Sequence, residues 1–83
     1  MENVYVSLSS PETVQRFVET LSGLDGDFDL ISGKYILDAR SLMGIFSLDI
    51  SKPIQLCIHN SSQENKEAIY PYLAESVKGV NVS

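Results

Sequence analysis

Cys57 and His59 stand two residues apart in Pro53-Ile54-Gln55-Leu56-Cys57-Ile58-His59. On a strand that spacing puts a thiol and an imidazole on one face, and both are zinc-ligating side chains. A structural zinc site wants four ligands, and the chain has no second cysteine or histidine. Neither a metal nor any other cofactor is therefore expected, and the two read as isolated surface residues on the open face of a sheet. One histidine and one cysteine also give no Ser-His-Asp or Cys-His set for nucleophilic catalysis. Asp25, Gly26, Asp27 and Asp29 hint at a calcium loop, but the twelfth position counted from Asp25 is Ile36, where a bidentate glutamate is required. Solvated edge-strand carboxylates are the better account of them. Gly33-Lys34 runs into Tyr35, and Phe28 occupies the place of the upstream glycine, so no phosphate-binding P-loop is present.

Two serines offer more. In Asp38-Ala39-Arg40-Ser41-Leu42-Met43-Gly44-Ile45-Phe46-Ser47-Leu48, a β-type run reaches Ser41 and a short apolar helical segment follows. The Ser41 hydroxyl can accept a free N–H of the first turn. A phosphate on it would meet the same N–H groups and the positive helix end, and Arg40 offers a counter-charge. A short helix cannot bury Leu42, Met43, Ile45, Phe46 and Leu48 on one side, so Met43 or Phe46 should stay outside as a contact site. The second serine is Ser10, in Ser9-Ser10-Pro11-Glu12. Serine caps, proline suits the first turn, and Glu12 favours the positive helix end.

The elements that position these groups follow from periodicity. Val4, Val6 and Leu8 alternate with Asn3, Tyr5 and Ser7 as a half-buried strand. Val14, Phe17, Val18 and Leu21 form the apolar stripe of a helix that Gly23 ends. Phe28 and Leu30 mark a second strand, Ser32-Gly33-Lys34 a turn, and Tyr35, Leu37 and Ala39 one face of a third strand in a hairpin. The helix after Ser41 extends towards Leu48, with Gly44 weakening it. Pro53–His59 is a fourth strand with Ile54, Leu56 and Ile58 inward. Ser61-x-x-Glu64 reads as a capping box for a last helix that runs towards Lys78. Its apolar face is Ala68, Ile69, Tyr72, Leu73 and Val77, and Pro71 should kink it or end its regular part. The order β-α-β-β-α-β-α predicts one α+β domain over residues 1–83, a sheet covered on one face.

Composition bounds the function. A chain of 83 residues builds a modest core with little room for a deep, water-excluding active site. Six Lys and Arg against eleven Asp and Glu give a net charge of −5, which argues against nucleic acid and against an anionic membrane surface as partners. No apolar run approaches the about 18 residues of a membrane span, and Met1–Tyr5 has no basic n-region or apolar core of a signal peptide. A cytoplasmic location is expected. Asn60-Ser61-Ser62 then spells a glycosylation sequon by chance.

The Asp38–Leu48 stretch closely resembles the regulatory-serine segment of HPr, the histidine phosphocarrier of the bacterial sugar phosphotransferase system. The element order resembles HPr over nearly the whole chain. The resemblance implies an HPr-like open-faced β-sandwich, with a four-stranded antiparallel sheet and three helices on one face. It also implies a histidine at the start of the first helix, in Gly-x-His-x-Arg-Pro-Ala, whose ring nitrogen carries the phosphoryl group. Counting back from Ser41 without a gap puts Ser10 at the histidine, Glu12 at the arginine and Thr13 at the proline. A carboxylate at Glu12 would repel a phosphate, and Ser10 reads as a cap.

In HPr-like proteins of low-GC Gram-positive bacteria, a dedicated kinase phosphorylates the serine matching Ser41, and the apolar residues after it dock partners. The resemblance therefore implies a regulatory or protein-interaction module, not an enzyme. Ser41 is its candidate phosphorylation site, and Arg40, Leu42, Met43 and Phe46 are its candidate partner-binding residues. Phosphotransferase-system enzymes, an HPr kinase or a transcription regulator are the implied partners. The alternatives are a phosphocarrier that uses Ser10 or His59 as acceptor, and a structural or oligomerisation module.

Overall fold

The computed structural model describes residues 2–60 and 62–74. Strands β1 (Glu2–Val6), β2 (Phe28–Ser32), β3 (Tyr35–Asp38) and β4 (Ile54–Ile58) and helices α1 (Pro11–Ser22), α2 (Leu42–Phe46) and α3 (Gln63–Ile69) follow one another as β1-α1-β2-β3-α2-β4-α3. The strands form one open antiparallel sheet in the order β1-β4-β2-β3. The fold is α+β, as the order of elements predicts.

Period-two alternation decides what each strand buries. Val6, Phe28, Leu30, Leu56 and Ile58 join Val14, Phe17 and Leu21 of α1, Ile45 of α2 and Ile69 of α3 in one apolar cluster. The opposite face carries two cross-strand rows set by the register: Tyr5, Gln55, Ile31 and Ile36, and beside it Asn3, Cys57, Asp29 and Asp38. Only the first face is covered by helices, so the second row of residue types is free to be polar.

Ser10 and Pro11 open α1 as expected, with Glu12 in its first turn and Gly23 as its C-cap. The β2–β3 hairpin turns on Gly33, whose φ of 60° is positive while Lys34's is not, the pattern of a type II′ turn that suits the twist of flanking strands. In α2, a Cβ on Gly44 would lie 2.9 Å from Ser41 Oγ and 3.3 Å from Leu37 Cδ1. The glycine that weakens this helix thus lets it sit tight against β3 and keep its cap.

Three expectations are corrected. β2 lies between β4 and β3, not at an edge, so Asp29 is not an edge-strand carboxylate. The cap of α3 is Ser62, whose Oγ accepts the Asn65 N–H at 3.2 Å; Ser61 lies outside the described residues, and Glu64 is a first-turn residue of α3, not the partner of the cap. The last helix is also shorter than expected. It ends at Ile69, a 3₁₀ turn spans Tyr70–Tyr72, and Leu73 is already extended, bridged antiparallel to Val6. Pro71 has no N–H to give, and its ring meets the carbonyl four residues back, so a regular α-helix stops there. Val77 and Lys78 lie outside the described residues.

Long-range side chains fix the connections. Tyr72 donates or accepts at Thr20 Oγ1 over 2.9 Å and packs edge-on against Phe17 with ring centroids 5.2 Å apart, tying the turn after α3 to α1. Asn65 is a buried polar residue, 2% exposed, and its amide donates to the carbonyls of Asp25 and Asn60, each at 2.9 Å.

Candidate functional site

α2 is five residues long and has two different sides. Ile45 is fully buried, and Leu42 and Leu48 pack partly buried against the core. Met43 is 81% exposed and Phe46 40%. A helix advances 100° per residue, so residues 42 and 45 share one side while 43 and 46 share the next. Met43 and Phe46 are therefore left beside each other in solvent.

Ser41 caps this helix. Its Oγ accepts the Gly44 N–H at 3.3 Å, and its own N–H donates to the Asp38 carbonyl at 2.9 Å. The residue is exposed, and no acidic side chain stands in the first turn of α2. Beyond the other end of the helix, the Ser51 hydroxyl and amide both donate to Asp49 Oδ1 and hold that carboxyl below its ordinary range, with Lys52 adding to the effect.

Arg40, next to Ser41 in the chain, makes its side-chain hydrogen bonds at the end of α1. Its Nε donates to the Leu21 carbonyl at 3.0 Å, and one terminal nitrogen donates to the carbonyls of Leu24 and Gly26 at 2.9 and 3.0 Å. The guanidinium also lies over the Phe28 ring, 5.1 Å from its centroid. It closes the C-terminal end of α1, where carbonyls lack helical partners and a cation is favoured. Those bonds engage Nε and one of the two terminal nitrogens.

Ser10 sits at the start of α1. Its Oγ accepts the Thr13 N–H at 3.2 Å and is 2.9 Å from Thr13 Oγ1. Glu12 stands in the same turn.

His59 and Cys57 are not isolated surface residues. Cys57 is only 6% exposed although it belongs to the helix-free face. His59 Nε2 lies 2.8 Å from Asp29 Oδ2 and 3.9 Å from Cys57 Sγ. Carboxylate and thiol converge on the same ring nitrogen, whereas a triad places nucleophile and orienting carboxylate on opposite nitrogens of the histidine base. Among the described residues no group of three or more His, Cys, Asp or Glu is arranged to hold a metal ion.

The sequence alone does not bring Asp29 to His59. The alternation puts Asp29 and Cys57 on outward faces, but only the strand order, with β2 beside β4, sets them side by side.

No protein-family model, no curated protein and no solved structure matches this chain. Among the described residues no helix is long and apolar enough to cross a membrane.

Proposed function

We propose that the chain is an HPr-like module without phosphohistidine transfer, a non-enzymatic regulatory or interaction protein that works through the surface of α2. The likeness rests on the Asp38–Leu48 residues and on the order of elements around an open antiparallel sheet. One observation carries the functional part: an exposed capping serine lies beside an exposed Met43–Phe46 pair on a helix too short to bury both its sides. Methionine and phenylalanine give an adaptable apolar contact, and Ser41 gives a position where added phosphate would change that contact's charge. The partner is a protein: a phosphotransferase-system enzyme, an HPr kinase or a transcription regulator.

Intact-mass measurement tests this reading. The protein is incubated with phosphoenolpyruvate and the first enzyme of the phosphotransferase system, and separately with ATP and an HPr kinase. The expected result is no labile phosphate in the first reaction and one stable phosphate in the second, lost in Ser41→Ala. Acid-labile phosphate from the first reaction overturns the proposal in favour of a phosphocarrier using His59, and a stable ester lost in Ser10→Ala overturns it in favour of Ser10.

A further inference from the structure

We propose that β3 pairs antiparallel, edge to edge, with β3 of a second copy of this chain, about a two-fold axis at Ile36. β3 is an outer strand, and no strand among the described residues covers its far edge. An uncovered edge presents backbone donors and acceptors to another chain, and proteins that avoid such pairing place charge or proline at its centre. β3 instead centres on exposed apolar residues, with Tyr35 70% and Ile36 69% exposed.

The backbone directions allow one self-pairing that also satisfies the side chains. Tyr35 faces Ser32 across the two-residue turn, and the Ala39 N–H donates to the Phe28 carbonyl at 2.9 Å. Residues 35, 37 and 39 therefore turn their backbone groups to β2, while 36 and 38, with 34, turn theirs outward. A two-fold axis at Ile36 sets Ile36 against the partner's Ile36 as a doubly hydrogen-bonded pair. Asp38 then meets the partner's Lys34 on the open face, and Tyr35 meets the partner's Leu37 on the helix face. The alternative axis at Leu37 sets Ile36 against the partner's Asp38 and Lys34 against the partner's Arg40, an apolar–charged and a like-charge opposition.

Charge selects the first register. Asp29 and Asp38 are cross-strand neighbours within one chain, so two carboxylates face each other. Asp29 has His59 at 2.8 Å. Asp38 Oδ1 accepts the Arg40 backbone N–H, and among the described residues neither Asp38 nor Lys34 has an ion pair. The two unpaired charges are spaced evenly about Ile36, and a second copy brings each to the other. The Asp38 carbonyl already accepts the Ser41 N–H, so the new ladder rests on the Ile36 pair and on Asp38 N–H groups given to the partner's Lys34. The outward row Tyr5, Gln55, Ile31, Ile36 would then run on without a break into the same row of the partner. A ladder this short gives a weak association.

Sedimentation velocity from micromolar to millimolar protein tests the pairing. The mass should rise from one chain to two. Lys34→Asp and Asp38→Lys should each weaken association about tenfold, and the double variant should restore it. Thermal melts in dilute solution check that each variant is folded, and Lys34→Asp removes no ion pair among the described residues. The Ile36 amide should exchange more slowly as concentration rises, while the Leu37 amide, already directed at β2, should not change. A chain that stays single at millimolar concentration, or a dimer indifferent to both charge reversals, or a double variant no stronger than the singles, overturns the proposal.

Discussion

Ser10 and Ser41 do the same local work in two different settings. Each hydroxyl accepts the amide three residues on, from Thr13 at 3.2 Å and from Gly44 at 3.3 Å. Ser10 starts a twelve-residue helix whose Val14, Phe17 and Leu21 are buried, it is also bonded to the Thr13 hydroxyl, and Glu12 stands beside it. Ser41 starts a five-residue helix with one buried residue, has no carboxylate in its first turn, and leads to Met43 and Phe46 in solvent. A cap alone marks the beginning of a helix. What surrounds the cap decides whether an added anion would meet repulsion or open backbone donors.

The sharpest break between the two regions is in what their phenylalanines hold. Phe17→Ala, in the helix that Ser10 opens, should cost about 3–5 kcal/mol, since it empties the centre of the core. Phe46→Ala should cost less than about 1 kcal/mol while weakening partner binding. Urea midpoints at unchanged slope measure both. Equal losses would make the outer side of α2 core and remove the contact surface.

Arg40 comes next, because it bridges the regions, with its backbone beside Ser41 and its guanidinium on the end of α1. Arg40→Met should cost about 2 kcal/mol, because the Leu21, Leu24 and Gly26 carbonyls lose charged donors. If equilibrium unfolding is unchanged, the guanidinium is not holding α1 and is available to a partner instead.

The caps themselves give the smallest effects. Ser10→Ala should cost about 1 kcal/mol and Ser41→Ala about half of that, since the helix it starts is short and its cap exposed. A larger loss at Ser41, by the same unfolding measurement, would mean that α2 is a structural necessity and reverse the contrast.

Periodicity made most of the elements legible. Val4-Val6, Phe28-Leu30 and Ile54-Leu56-Ile58 announce strands, and Val14, Phe17, Val18 and Leu21 announce α1, because each pattern follows from local geometry and one buried face. The exposed position of Met43 and Phe46 follows from the same counting. The order of strands is not local: nothing within Phe28–Ser32 says that β4 lies on one side of it, so the pairing of Asp29 with His59 and the burial of Cys57 were out of reach. The carbonyls that Arg40 holds are hidden from the sequence for a related reason. Its acceptors lie 14 to 19 residues earlier, and a long flexible side chain is read from sequence by its neighbours. The cap of α3 is ambiguous by one residue in the sequence because Ser61 and Ser62 are both cap-forming types; in the structure Ser62 accepts the amide of Asn65.

The connection between α1 and β2 is gripped from two directions. Arg40 holds the carbonyls of Leu21, Leu24 and Gly26, and Asn65, 40 residues on from Asp25, holds that residue's carbonyl together with Asn60's. Loosening this loop takes the Asp25 acceptor from a buried amide and the Leu24 and Gly26 acceptors from a guanidinium at once, so the loop behaves as a keystone and not as a hinge. Its opening draws on side chains from two other parts of the chain, Arg40 before α2 and Asn65 in α3. An insertion between Leu24 and Asp27 would not be absorbed as an ordinary surface loop absorbs one; it would be felt as far away as the first turn of α3.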